Sequence, residues 1–243
     1  MAHTRPDYST QHKMKTIYGE VDNAELSARL NSINHFDRRG NVFFMDDFEN
    51  SLNKWNPTLN GLGAAVVISA TRSRSASSSC KLTAGSNGAC WAGIARIHTL
   101  PVLSSVGFEC SFAVDTINTY FQIRPWIYTG AMLLSPVIEI NDNDNTIKYT
   151  DDLGAQINLT TATTFRNSEY LFHTVKLVVD YNTQEYVRCI FDNTTYNMAG
   201  IPIQAAADAT GSSIVFLALN VGRAANNDIV YVDDVIFTQN EPL

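Results

Sequence analysis

At 243 residues, 45% of them hydrophobic and 17% charged, the chain has the make-up of a globular protein with one large core or two small ones. Its formal charge of −7 is unevenly spread: residues 1–41 carry six basic against five acidic side chains, and residues 42–243 carry eleven against nineteen. So acidic a body repels nucleic-acid phosphates and anionic lipid, and no apolar run nears the roughly 20 residues of a membrane-spanning helix, so neither nucleic acid nor membrane is an expected partner.

Residues 1–41 are polar and lack strand alternation. Within them Leu26, Leu30 and Ile33 fall at i, i+4 and i+7, and Asn23 stands where a cap would, which predicts one short amphipathic helix. A helix of about ten residues is marginal alone in water. Its stripe therefore needs a sandwich or another chain to cover it, and Leu26, Leu30 and Ile33 are candidate interface residues of an N-terminal arm. The first residues show no hydrophobic segment like a secretion signal, so synthesis in a cytoplasm is expected.

From Val42 onward the sequence reads as strands divided by turns. Twelve segments qualify: 42–48, 64–71, 78–84, 90–97, 107–114, 119–128, 135–141, 146–150, 172–180, 185–192, 213–221 and 228–238. Turn signals such as NGLG, GSNG, NDNDN and YNTQ separate them, and 22 Phe and Tyr residues add to the β character. This pattern predicts an all-β antiparallel sandwich over residues 42–243, with residues 1–41 as the arm. Cys80, Cys110 and Cys189 fall on the apolar side of their strands and are expected as buried free thiols. A Cys80–Cys90 bridge remains open, and no zinc spacing is present.

Four segments, in order, carry a resemblance. MDDFENSLNKW (45–55) resembles the opening strand of laminin-G-like and concanavalin A-like jelly rolls, and RSASSSCKLTAG (74–85) resembles the next segment of many carbohydrate-binding sandwiches. FHTVKLVVDYNTQEYVRCIFD (172–192) is similar to their central hairpin, and IVYVDDVIFT (229–238) to their closing strand. The resemblance implies a jelly-roll β-sandwich. It also implies a structural calcium between first and last strands, for which Asp46, Asp47, Asp233 and Asp234 are the candidate ligands. Laminarinase-like members of that superfamily carry alternating catalytic acids on one strand. Here Glu139 is followed on its face by Asn141 and Asn143, so the second carboxylate that a retaining glycosidase needs is missing. Asp142 and Asp144 read as turn residues, His173 as a core residue, and neither His98 nor His173 has an evident catalytic Ser and Asp.

The segment TYFQIRPWIY (119–128) is the most informative strand. Alternation puts Phe121, Ile123 and Ile127 on one face and Tyr120, Gln122, Arg124, Trp126 and Tyr128 on the other. The second set is a platform suited to stacking and orienting a sugar ring, or to a protein interface. An arm joined to a jelly roll resembles the layout of capsid decoration and other virion surface proteins. The expectation is thus a non-enzymatic structural protein of a phage particle, oligomeric, held by residues 1–41 to capsid or tail proteins. Its place would be the virion, or alternatively outside cells. The alternative function is a carbohydrate-binding module, with a divergent glycoside hydrolase behind it.

Overall fold

Alternating apolar side chains can be buried only if strands pair and one face closes on another sheet, and two antiparallel sheets do this here. The computed structural model describes residues 39–87, 90–99, 103–115, 120–161, 171–222 and 227–243. Every regular element among them is a strand. The predicted helix with Leu26, Leu30 and Ile33 lies outside the described residues, as does nearly all of the arm.

The first sheet runs β14(Thr194–Pro202), β13(Glu185–Phe191), β12(His173–Asp180), β6(Ser105–Val114), β17(Ile229–Gln239), β4(Ser79–Thr83), β3(Ala65–Ser69), with β1(Asn41–Asp46) also on β17. The second runs β11(Gln156–Thr160), β10(Thr146–Thr150), β9(Ile138–Asn141), β7(Tyr120–Tyr128), β16(Ser213–Val221), β5(Trp91–Thr99), β2(Asn56–Asn60). A short pair, β8(Met132–Leu134) and β15(Ala205–Ala207), extends β7 at one end.

All twelve predicted strands are present, β1 starting one residue earlier at Asn41. The other five, β2, β8, β11, β14 and β15, lie at sheet margins and are largely exposed, so no buried face imposes alternation on them. Pro57 sits in the edge strand β2, where a missing N–H costs no ladder bond.

Between the sheets, Phe216 of β16 stacks on Phe237 of β17 with centroids 3.7 Å apart, and Phe112 of β6 stacks on Phe121 of β7 at 4.7 Å. The core also takes up the thiols of Cys80, Cys110 and Cys189, and all four cysteines are free. Burial pushes the Cys189 thiol up to about 12 and raises Cys80 and Cys110 as well, which leaves them inert as nucleophiles.

One irregularity shapes the first sheet. Asp234 adopts φ 46° and the β17–β6 register slips between Asp233 and Ile236, forming a bulge. On its other edge β17 pairs with β4 up to Val232 and with β1 from Val235. The bulge therefore marks the point where the strand changes partners.

Candidate functional site

Because Phe121, Ile123 and Ile127 fill the core, the alternate residues of β7 must face outward on the second sheet. β7 lies between β9 and β16, and the registers bring distant residues alongside it. Gln122 stands opposite Glu139 and Leu219, Arg124 opposite Leu217, and Trp126 opposite Val215. Across β16, Leu219 faces Gly93, Leu217 faces Ala95 and Val221 faces Trp91, while Thr58 of β2 lies beyond Gly93. Ala95, Leu217 and Leu219 form a second apolar cluster on this outer face, with Trp91, Trp126, Val215 and Val221 packed against it.

A groove of about 430 Å³ results, lined by Thr58, Trp91, Gln122, Arg124, Trp126, Leu217, Leu219 and Val221. That volume lies within the usual range of ligand sites. Gly93 is needed for its shape: a Cβ there would come within 2.3 Å of Leu219 Cδ2 and 2.6 Å of the Ala218 carbonyl oxygen. Without that side chain, Leu219 lies across the strand and makes an apolar floor.

The polar side of the groove is a hydrogen-bonded row. Gln122 Nε2 donates to Glu139 Oε2 at 2.6 Å, and the Arg124 guanidinium donates to Gln122 Oε1. The Arg124 Cζ lies 5.4 Å from the centroid of the Trp126 ring. Burial pulls the Arg124 pKa down, and the charge of Glu139 opposes that pull. Three buried polar atoms of the groove have no hydrogen-bond partner among the described residues: Thr58 Oγ1, Arg124 Nε and Trp126 Nε1. Each such group costs about 1–3 kcal/mol when desolvated and unpaired.

Comparison with protein-family models finds no match, and comparison with curated proteins finds none either. Among solved structures, a carbohydrate esterase from the Shiga toxin-encoding bacteriophage phi24B matches over 83% of this chain and 100% of that chain, at 16% identity and TM-score 0.54. The chain has the fold of a jelly-roll β-sandwich. The Emp47p carbohydrate recognition domain matches at 10% identity and TM-score 0.49, over 85% and 99% of the two chains. A family 22 carbohydrate-binding module of Clostridium thermocellum Xyn10B matches at 15% identity and TM-score 0.39, over 85% and 97%.

On this jelly roll the five platform residues predicted from β7 do share one face. Gln122, Arg124 and Trp126 line the groove, while Tyr120 and Tyr128 flank it, half-buried. Sequence reasoning missed Trp91, Thr58, Leu217, Leu219 and Val221. The available signal was that β5 and β16 are apolar on both faces, although only one can meet the core.

The four aspartates are not one cluster. Asp46 accepts hydrogen bonds from Lys54 Nζ at 2.5 Å and Trp55 Nε1 at 2.6 Å, so both its oxygens are engaged. Asp233 accepts from the backbone N–H groups of Arg74 at 2.8 Å and Asp234 at 2.9 Å. Burial, then the charge of Asp234, pushes its pKa up to about 7. Asp234 is raised too, by burial first, and Asp47 is near enough to add to the rise. Asp234 Oδ2 is buried with no hydrogen-bond partner among the described residues. Among the described residues no three His, Cys, Asp or Glu side chains are grouped to hold a metal ion. Asp47 acts on Asp234 through its charge without forming a ligand cluster with Asp233 and Asp234, and Asp46 stands apart.

The remaining candidates are structural. Asn141 Oδ1 accepts from the N–H groups of Asn143 and Asp144, which makes NDNDN an Asx turn. His173 is buried as the core residue that alternation indicated, and its Nδ1 lies 2.6 Å from Asp192 Oδ2, a pairing that only the β12–β13 hairpin creates. The imidazole stacks on Phe191 at the core's end.

Proposed function

We propose that this jelly roll binds a glycan in the groove on its second sheet and does not cleave it. The observation that carries the reading is the groove's composition. Two half-buried indoles, Trp91 and Trp126, stand on an apolar floor beside the unpaired donors and acceptor of Thr58, Arg124 and Trp126. A sugar ring has this same mixture: an apolar face for stacking and hydroxyls that both donate and accept. That the phage protein of the same fold is a carbohydrate esterase supports carbohydrate as the ligand class. The non-catalytic reading is supported by Glu139, the sole carboxylate at the described strand positions of this face, where glycoside hydrolysis needs a pair.

The test is binding of an oligosaccharide panel by calorimetry. Trp126→Ala should weaken any ligand found by about 2 kcal/mol, some thirtyfold, with unchanged melting. Absence of saturable binding across the panel, or binding indifferent to Trp126→Ala and Trp91→Ala, would overturn the reading.

A narrower setting, a virion surface protein attached by residues 1–41 to capsid or tail chains, is favoured by the phage origin of the matching structure. In that setting the groove would face the host's glycans.

A further inference from the structure

The charge of the groove-bearing face differs from that of the chain. Strand registers place the outward residues of β11, β10, β9, β7, β16, β5 and β2 on one surface. Among the described strand positions there, Glu139 is the one acid, against Arg124 and Lys148 as bases, in a chain whose net charge is −7. Asn158, Gln156, Thr146, Asn141, Asn56 and Asn60 occupy positions on the same face and add no charge. Glu139 is directly opposite Lys148 on β10 and bonded to Gln122, through which it reaches Arg124. At the strand positions one carboxylate is therefore shared between two cations, the turn acid Asp144 is held at the margin by Asn141 and Asn143, and Arg124 is the cation beside the Trp126 ring.

Resting on the glycan-binding reading, we propose that the ligand is an acidic glycan, with an anionic substituent, carboxylate or sulfate, seated at Arg124 and within the field of Lys148. The geometry supports it at three points. Arg124 Nε is buried without an acceptor. Its guanidinium is held in place by Gln122 and by the indole of Trp126, so little freedom is lost when an anion arrives. Burial lowers the Arg124 pKa and the charge of Glu139 opposes this, and a bound anion would favour the charged guanidinium in the same sense. A neutral hydroxyl satisfies the donor but leaves the charge. The acidic remainder of the chain repels such a ligand from other surfaces and so favours this face.

The experiment uses the full chain and matched ligand pairs in calorimetry: oligouronides of galacturonate, guluronate and glucuronate against their methyl esters, and a sulfated galactan against its desulfated form. At least one acid should bind tenfold or more tighter than its neutral counterpart, with affinity falling as salt rises. The arm that binds identifies the anion as carboxylate or sulfate. Arg124→Gln should bring acid and neutral forms within threefold. Lys148→Gln, outside the groove lining, should reduce the acid preference by a smaller factor and guards against misfolding at Arg124. Neutral forms binding as tightly as acids throughout, or a preference unchanged by both variants, would overturn the proposal while leaving glycan binding in place. No binding by any member, acidic or neutral, would remove glycan binding and the proposal with it.

Discussion

Replacing Glu241 by alanine tests how the carboxyl end is fastened to the outer face of the first sheet. The side chain of Glu241 is fully buried, with Oε1 2.7 Å from Lys176 Nζ and Oε2 2.6 Å from Arg188. It also accepts from the Thr238 hydroxyl, and its backbone carbonyl accepts from Ser105. Lys176 and Arg188 side chains are themselves only 1% and 6% exposed, so the substitution leaves two desolvated cations. Breaking a buried pair costs about 3–5 kcal/mol. Glu109 stands opposite Lys176 across β6 and β12 and retains part of the compensation, which puts the expected loss near the lower bound, about 3 kcal/mol. For a domain of this size that is a fall in Tm of about 6–12 °C. Glu241→Gln keeps the shape and the acceptor and should cost less. Urea unfolding at neutral pH reads the difference directly, with an unchanged m-value. A loss under about 1 kcal/mol for Glu241→Ala would show that the cluster is open to water and that the terminal segment is not a structural fastener.

Asp233 has a folded pKa raised to about 7, so the folded state holds a proton that the unfolded state has lost, and stability falls as pH rises from about 4 to about 7. Wild type should lose about 3–4 kcal/mol relative to Asp233→Asn over that window, and parallel pH–stability curves would refute the assignment. We propose that calcium, if held by Asp233 and Asp234, flattens this slope and raises Tm. Identical melting in millimolar calcium and in chelator would remove the metal. Deleting residues 1–38 should leave the sandwich folded, since β1 begins at Asn41, and should abolish attachment if the arm anchors the chain to a particle. Equal particle binding by truncated and full-length protein would end that reading.

What the sequence determined by itself was local. Period-two alternation in segments such as 107–114 and 172–180 marks strands because one face must meet the core, and the same alternation separates Tyr120, Gln122, Arg124, Trp126 and Tyr128 from Phe121 and Ile123. The turn chemistry of NDNDN was equally readable, because Asn141 bonds residues two and three places on.

Tertiary structure decided everything that depends on register. Trp91 lies on β5 and Leu217 and Leu219 on β16, strands apolar on both faces, so no pattern within either assigns an outward face to these residues. Only the pairing of β5 with β16, and of β16 with β7, puts them in one groove with Gln122, Arg124 and Trp126. The aspartates make the same point in reverse. Asp46 and Asp47 are neighbours in sequence, yet strand alternation sends Asp46 to Lys54 and Trp55 and leaves Asp47 near Asp234. His173 and Asp192 are nineteen residues apart and meet because a hairpin returns the chain. A side chain's face is set by its own strand, whereas its neighbours are set by pairing energy summed over whole strands, which no short stretch of sequence contains.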